Sequence, residues 1–372
     1  MLHVHIGLGK LGLGCVVPVF GSDLLATIPT GGATEQHARV LGERGRYLIE
    51  YSDGTTGHVA APRLAYFDRT AEAFLACLNA PPSLVSCSVG PKHLPTVYEY
   101  LDRLVAANRA HYRAAPLIFL PMENDRHAGR SALEHLRRGD SDAHHRIVPL
   151  SVLVDRICPR IRIVDGECVV TAEKYMEVRL TPVLPEHLPV LMGARVLPES
   201  TTVLDSSTFE YHVKRKYWCL NGMHYVLALA AVKAHLSPRT TVGQLLGAVD
   251  RPRLARILTE ITLATYDESR KVGRPYEEAE SYAQRCFERI QEQGGDTVER
   301  LITPLVDLME EGIRREFGVF FDKWERRILE PTDVLLRIHQ GITWPLALPT
   351  VNFDLLRVLG EVLATGLETP AA

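Results

Sequence analysis

The run Leu2-His3-Val4-His5-Ile6-Gly7-Leu8-Gly9-Lys10-Leu11-Gly12 decides the fold. Residues 2–6 have strand length and a mostly apolar character, and they break into a loop with glycine at 7, 9 and 12. An apolar, helix-like run follows. A strand that ends in Gly-x-Gly-x-x-Gly and opens a helix is how an α/β sheet meets a pyrophosphate. The first glycine permits the tight turn, the second lets the backbone approach the ligand, and the third allows close helix–strand packing. The helix N-terminus adds unpaired N–H donors and the positive end of its dipole. Gly7, Gly9, Lys10, Leu11 and Gly12 are therefore candidate dinucleotide-binding residues.

Working outward, the first half alternates strands with helices. Leu24 to Ile28 reads as the second strand, Leu84 to Val89 (LVSCSV) as a buried strand ending in Gly90-Pro91, and Pro116 to Leu120 (PLIFL) as another. Helical periodicity covers Pro95 to Ala107, and the polar turn Met122-Glu123-Asn124-Asp125 follows PLIFL. Strand, turn and helix in succession predict a parallel sheet with helical crossovers. From Ile163 to Leu180 a partly alternating pattern predicts further strands. Beyond the prolines at 182, 185, 189 and 198 the character changes to long amphipathic segments, among them Arg251–Lys271, Tyr276–Gln293 and Asp296–Glu316. The expected architecture is an α/β, Rossmann-like domain with a parallel-rich sheet (residues 1–200), followed by a mainly α-helical domain (201–372).

Composition narrows the function classes. The 372 residues carry 42 Lys plus Arg against 45 Asp plus Glu, a formal net charge of -3, which gives no general drive onto nucleic acid or an anionic membrane. The longest uncharged stretch, Ala73 to Pro91, contains Asn79, Pro81, Pro82 and three serines, so no bilayer span is expected. The opening residues lack a basic n-region, and a cytoplasmic location is expected. Seven cysteines without a Cys-x-x-Cys pair read as core thiols. His144 and His145 stand together without an HExxH or second Cys/His cluster, so no metal site is expected.

The dinucleotide fingerprint lacks one part. An acidic residue at the tip of the second strand would hold the adenosine ribose hydroxyls. Here the tip reads Pro29-Thr30-Gly31-Gly32. Thr30, or Arg39 a little later, would suit a 2′-phosphate and so NADP; these residues leave NAD and NADP both open.

A sharper constellation lies at Lys216, Asn221 and His224, within Lys214-Arg215-Lys216-Tyr217-Trp218-Cys219-Leu220-Asn221-Gly222-Met223-His224. At about 100° per residue the three fall near 0°, 140° and 80° on a helical wheel, so one face presents them. A lysine in a semi-apolar pocket has its charged form destabilised and can work as a general base. An Asn amide can donate to a developing alkoxide, and a His can orient it. That is equipment for hydride transfer at a secondary alcohol or ketone. The chain holds 8 Lys against 34 Arg, with 5 Asn and 15 His, so the spacing has a chance expectation of about 0.004. Arg could not serve as the base, because it does not deprotonate. Tyr217 and Trp218 read as packing between the domains, and the charged cluster 310–316 as a solvated helix face.

Lys216-x4-Asn221-x2-His224 resembles the catalytic signature of the polyol-specific long-chain dehydrogenase/reductase family, in length and layout its mannitol-1-phosphate 5-dehydrogenase branch. LHVHIGLGKLGLG resembles the family's opening strand and loop, and SVGPKHL (88–94) its V-G-P turn. MENDRHAGRSAL (122–133) resembles its C-E-N turn, and VDRICP (154–159) its V-D-R-I-x-P run. The matches span roughly residues 1–235. The resemblance implies an active site between the two domains, with Lys216 as base, Asn124 and Asn221 polarising the carbonyl, His224 positioning it and Asp155 nearby. It also implies Gly90 and Pro91 along the nicotinamide, with Glu123 among the cofactor-binding residues. The family's basic R-x-P-x-R-K-L segment is absent, and Thr303 stands where the Lys of its L-x-K-P turn would be, leaving Arg300 as one of few cations there. The expected activity is NAD(P)-dependent hydride transfer on a polyol, sugar-derived or cyclitol-like substrate, by a monomer or small homo-oligomer. The alternatives are a true mannitol-1-phosphate 5-dehydrogenase and a catalytically idle nucleotide-binding relative.

Overall fold

A computed structural model describes residues 2–21, 23–27, 32–66, 70–90, 93–123, 128–138, 145–181, 187, 191, 201–234, 236–237, 239–293, 325–340 and 352–357. The chain divides into two compact units, Met1–Phe209 and Glu210–Ala372. The sequence placed its boundary after residue 200.

The first unit opens with β1 (His3–Ile6), a π-helical turn π1 (Gly12–Val16) and α1 (Val17–Phe20). Next come β2 (Leu24–Thr27), α2 (Gly32–Arg44), β3 (Arg46–Tyr51), β4 (Thr56–Ala60), β5 (Arg63–Tyr66) and α3 (Ala71–Ala76). β6 (Leu84–Cys87), α4 (Leu94–Ala107), α5 (Arg109–Ala114), β7 (Leu117–Pro121), α6 (Ala128–Arg138) and β8 (Ile147–Pro149) complete the alternation. Then follow β9 (Val152–Asp155), β10 (Arg160–Val164), β11 (Glu167–Ala172), β12 (Glu177–Leu180) and β13 (Thr201–Val203), and α7 (Ser206–Arg215) runs across the division into the second unit.

Six strands form one sheet in the order β5-β2-β1-β6-β7-β8, every pairing parallel. Counted along the chain as strands one to six, this is 3-2-1-4-5-6, the order of the doubly wound dinucleotide-binding sheet. Alternation along β1 and β6 splits the core. Val4, Ile6, Val85 and Cys87 face α3, α4 and α6, together with Phe119, Leu101 and Leu136. Leu84, Ile118 and Leu120 face the other side, where Cys15, Val16 and Phe20 of π1 and α1 cover them.

Two smaller sheets take in the further strands expected over 163–180, paired with strands that the sequence reading did not place. β10-β11-β3-β4 form a four-stranded sheet in which β11 runs parallel to β3, and β13-β12-β9 form a three-stranded one. β3 and β4 of the first were not read; they form a hairpin whose further partner, β11, lies more than a hundred residues later. Its inner face, with Tyr47, Ile49, Cys168 and Val170, packs on Leu13 and Val17. The helix that begins at the glycine loop is thus covered on two sides.

The second unit contains π2 (Lys216–Gly222), α8 (Met223–Lys233), α9 (Val242–Ala248), α10 (Arg251–Lys271), α11 (Tyr276–Glu292), π3 (Glu325–Leu329) and α12 (Glu330–His339). α9 begins with a capping box between Thr241 and Gln244, and α10 with Asp250 as N-cap followed by Pro252. Buried Glu260 of α10 accepts backbone N–H bonds from Asn352, Asp354 and Leu355 at 3.1, 3.0 and 2.9 Å, which fixes residues 352–355 against it. The expected helix Asp296–Glu316 lies outside the described residues. Among those residues no helix is long and apolar enough to cross a membrane.

Candidate functional site

In the parallel sheet the strand order reverses between β1 and β6, and ligands of such sheets bind beyond the carboxyl ends of the strands at that point. The glycine loop and the turn Ser88–Gly90 stand there. Gly7 has φ +129°, and a Cβ on it would lie 2.6 Å from the Ser88 carbonyl oxygen. A Cβ on Gly12 would lie 2.5 Å from the Gly7 carbonyl oxygen and 3.0 Å from His5 Nε2. Both glycines are therefore required by close approach within the loop. Gly9 meets only ordinary contact, 3.7 Å to Ser88 O, and is half-buried; Lys10 is exposed and Leu11 half-buried. The backbone at Gly7, Gly9 and Gly12 thus carries no side chain beside a helix N-terminus, a cradle that fits a dinucleotide pyrophosphate.

A fourth glycine carries a constraint that the sequence reading did not assign. A Cβ at Gly14 would sit 2.7 Å from Cys158 Sγ and 3.3 Å from Val170. The signal was present, since GLGKLGLG holds one glycine more than the fingerprint needs.

On the opposite side of the crevice, Glu123 Oε1 accepts the N–H groups of Val89 and Gly90 at 2.6 and 3.0 Å. Gly90 has φ +86°. Glu123 thus pins the turn that follows β6 by charge-assisted bonds. Met122, which stands where the resembled family has Cys, is buried against Leu120 and Leu150 and serves as core.

Beneath the loop lies a polar ladder that the apolar reading of β1 passed over. His3 Nε2 is 2.8 Å from Ser86 Oγ, His5 Nδ1 is 2.8 Å from the same oxygen, and His5 Nε2 is 3.0 Å from Ser88 Oγ. His3 and His5 alternate with Val4 and Ile6, so they face the side covered by π1. Burial lowers His3 to about 4 against the opposing pull of Asp23, and burial together with His3 lowers His5 to about 3. Both imidazoles are neutral at pH 7. Unfolded, each takes a proton near 6.5, so below that pH the unfolded state binds more protons and stability falls. The ladder's contribution is complete above pH 6.5 and is lost as pH drops towards 4 and below, at up to about 1.4 kcal/mol per pH unit for each histidine. Urea midpoints measured between pH 7 and 4 should fall steeply in the wild type and less so in a His3→Gln/His5→Gln double variant. Equal slopes would remove the histidines from the account.

In the second unit Lys216 opens π2, and its two neighbours are tied down. Lys214 Nζ pairs with Glu268 of α10 at 3.0 Å. The buried Arg215 guanidinium stands 3.8 Å from the ring centroid of Tyr282 on α11 and 3.5 Å from Glu278. Lys216 is itself 8% exposed, surrounded in sequence by buried Tyr217, Trp218, Cys219 and Leu220. Asn221 and His224 are half-buried.

The α-helical wheel needs correction here. In a π-helix, bonding runs between residues i and i+5, so Asn221 stands one turn on from Lys216 instead of about 140° round the axis. His224, three residues after Asn221, neighbours it on the same side. The register places the three more nearly in line than the wheel allowed. Gly222 makes room for it: a Cβ there would meet the Arg327 carbonyl of π3 at 3.2 Å.

Asp155 is fully buried in β9, in register with Glu177 of β12. Asn124, Pro91 and Thr30 lie outside the described residues, as do Arg300 and Thr303. Arg39 is exposed on α2.

No protein-family model matches the chain, and no curated protein matches it. Solved structures do. Pseudomonas fluorescens mannitol 2-dehydrogenase, in ternary complex with NAD and D-mannitol, aligns with a TM-score of 0.61 at 14% identity, covering 96% of this chain and 84% of that one. A D-sorbitol dehydrogenase in substrate-free form gives 0.58 at 15% identity, covering 90% and 80%. A PanE/ApbA family ketopantoate reductase from Ralstonia eutropha JMP134 gives 0.50 at 16% identity, covering 92% and 99%. The chain therefore has the fold of these proteins, an N-terminal Rossmann-like domain followed by a largely helical region.

Proposed function

We propose that the chain is a nicotinamide-dinucleotide-dependent dehydrogenase or reductase acting on a secondary alcohol or ketone. Within that class we assign it to the polyol-type long-chain dehydrogenases, with a polyol, sugar-derived or cyclitol-like substrate. The observation that carries the reading is the glycine cradle at the switch point of a 3-2-1-4-5-6 sheet in a chain that also holds Lys216, Asn221 and His224 towards one side of a helical segment. The dehydrogenase folds it matches support the same class.

The bound nicotinamide supplies or takes up the hydride. The chain's own residues then have separable tasks. The Gly7–Gly12 backbone and the helix N-terminus bind the pyrophosphate, and Lys10 adds a positive charge beside it. In the oxidative direction neutral Lys216 Nζ takes the hydroxyl proton as the carbinol hydrogen leaves; in the reductive direction its ammonium returns that proton to oxygen. The Asn221 amide, with Asn124, donates to the developing alkoxide, and His224 orients it. Sub-ångström placement of these donors, rather than their number, sets the rate.

The test is a titration of the purified protein with NADH and NADPH, read by nicotinamide fluorescence and calorimetry. A panel of ketoses, cyclitols and sugar phosphates follows with whichever nucleotide binds. Micromolar binding of either nucleotide is expected. A folded protein that binds neither removes the dehydrogenase reading.

A further inference from the structure

The helix that begins at the glycine loop departs from α geometry in its first turns, and a buried phenol from a different sheet sits at the departure. Leu13 N–H bonds back four residues to Gly9 O at 3.0 Å, in α register. Val17 N–H reaches back five residues, to Gly12 O. In an α-helix Val17 would have bonded Leu13 O; in the π register that carbonyl falls instead to residue 18, which is Pro18 and has no N–H, so it is left without a partner within the helix. Leu13 has no exposed surface, and a buried carbonyl without a partner is costly. Tyr47 Oη donates to it at 2.8 Å. Tyr47, on β3, is also fully buried, and burial holds its phenol well above the usual 10, so it remains a donor at every physiological pH.

The π turn contains one residue more than an α turn. Losing it would rotate everything N-terminal to it by about 100° relative to the rest of the helix. The residues N-terminal to it are the loop itself, whose N–H groups are the anion donors. Packing alone does not select this register. Gly14 lies hard against Cys158, but that contact constrains where the turn sits, whereas the Leu13 carbonyl needs a donor only if the turn is π.

We propose that Tyr47 is a positioning residue for the nucleotide: its hydroxyl holds the helix after the glycine loop in π register and so aims the loop amides at the phosphates. The inference rests on the dinucleotide reading above. Tyr47→Phe keeps the ring and removes only the donor. In the full-length protein it should raise the Kd of the bound nucleotide about tenfold and raise the KM for that nucleotide in step. The kcat at saturating nucleotide and the KM for the second substrate should stay within twofold of wild type. Amide hydrogen exchange should quicken over residues 12–17 and remain unchanged over β6, β7 and α4. A merely structural tyrosine would lower the melting temperature without this split. Unchanged nucleotide affinity in the folded variant would overturn the role of Tyr47 and leave the dinucleotide reading intact. Failure of the wild type to bind either nucleotide would overturn both.

Discussion

Lys216→Ala should abolish turnover while nucleotide binding persists. General-base catalysis contributes roughly 10²–10⁴-fold, so kcat should fall about a thousandfold, with the NADH or NADPH Kd within twofold of wild type. The separation is expected because Lys216 belongs to π2 in the second unit, whereas the glycine cradle belongs to the first. Lys216→Arg sharpens the test. It retains the charge and most of the length but cannot deprotonate, and it should be as inactive as the alanine variant. Full activity in the arginine variant would mean that the lysine acts by charge alone, and full activity in the alanine variant would dismiss Lys216 as base. Melting temperature needs recording beside the rates, since position 216 is buried and its neighbours anchor α10 and α11.

Gly12→Ala should produce the converse phenotype. Its Cβ would lie 2.5 Å from the Gly7 carbonyl oxygen, a backbone atom of the same loop. The loop must open to admit the methyl, and His5 and Ser88 lie behind it at 3.0 and 3.2 Å with no room to retreat. Overpacking of this kind costs about 1–3 kcal/mol, and the displaced loop should bind nucleotide at least a hundredfold more weakly. Gly247→Ala is the control of opposite sign. It lies in α9, exposed, with nothing within 4 Å of a Cβ, so alanine should stabilise the protein by about 0.5–1 kcal/mol through helix propensity. Thermal unfolding together with a nucleotide titration reads both. Wild-type affinity in Gly12→Ala would show that the loop does not bind the pyrophosphate.

Several elements could be read directly because their signals are local. The glycine loop, the neighbouring strands at 84 and 117 and the helix Arg251–Lys271 are specified by residues adjacent in sequence. Periodicity and turn chemistry therefore find them, within one or two residues at their ends. Leu84–Val89 closes as a strand at Cys87 because Gly90 takes φ +86° and Glu123 binds the amides of Val89 and Gly90. A carboxylate more than thirty residues away ends that strand, and no local pattern announces it.

By itself the sequence determined the class of fold, and it supplied the glycine loop and the three residues proposed for the chemistry, since each depends on short spacings. Tertiary structure alone decided the register in which those residues are presented. π1 needs a donor for the Leu13 carbonyl, and that donor comes from Tyr47 on a sheet completed by β11. π2 needs Gly222 against the backbone of π3. The neutral histidine ladder needs two serines from β6 beside β1. Pro18 disfavours a plain α-helix at π1, but no local pattern supplies the donor, the facing backbone or the serines. The choice falls to the contacts that Tyr47, Ser86, Ser88 and the π3 backbone supply, and these partners are distant in the chain.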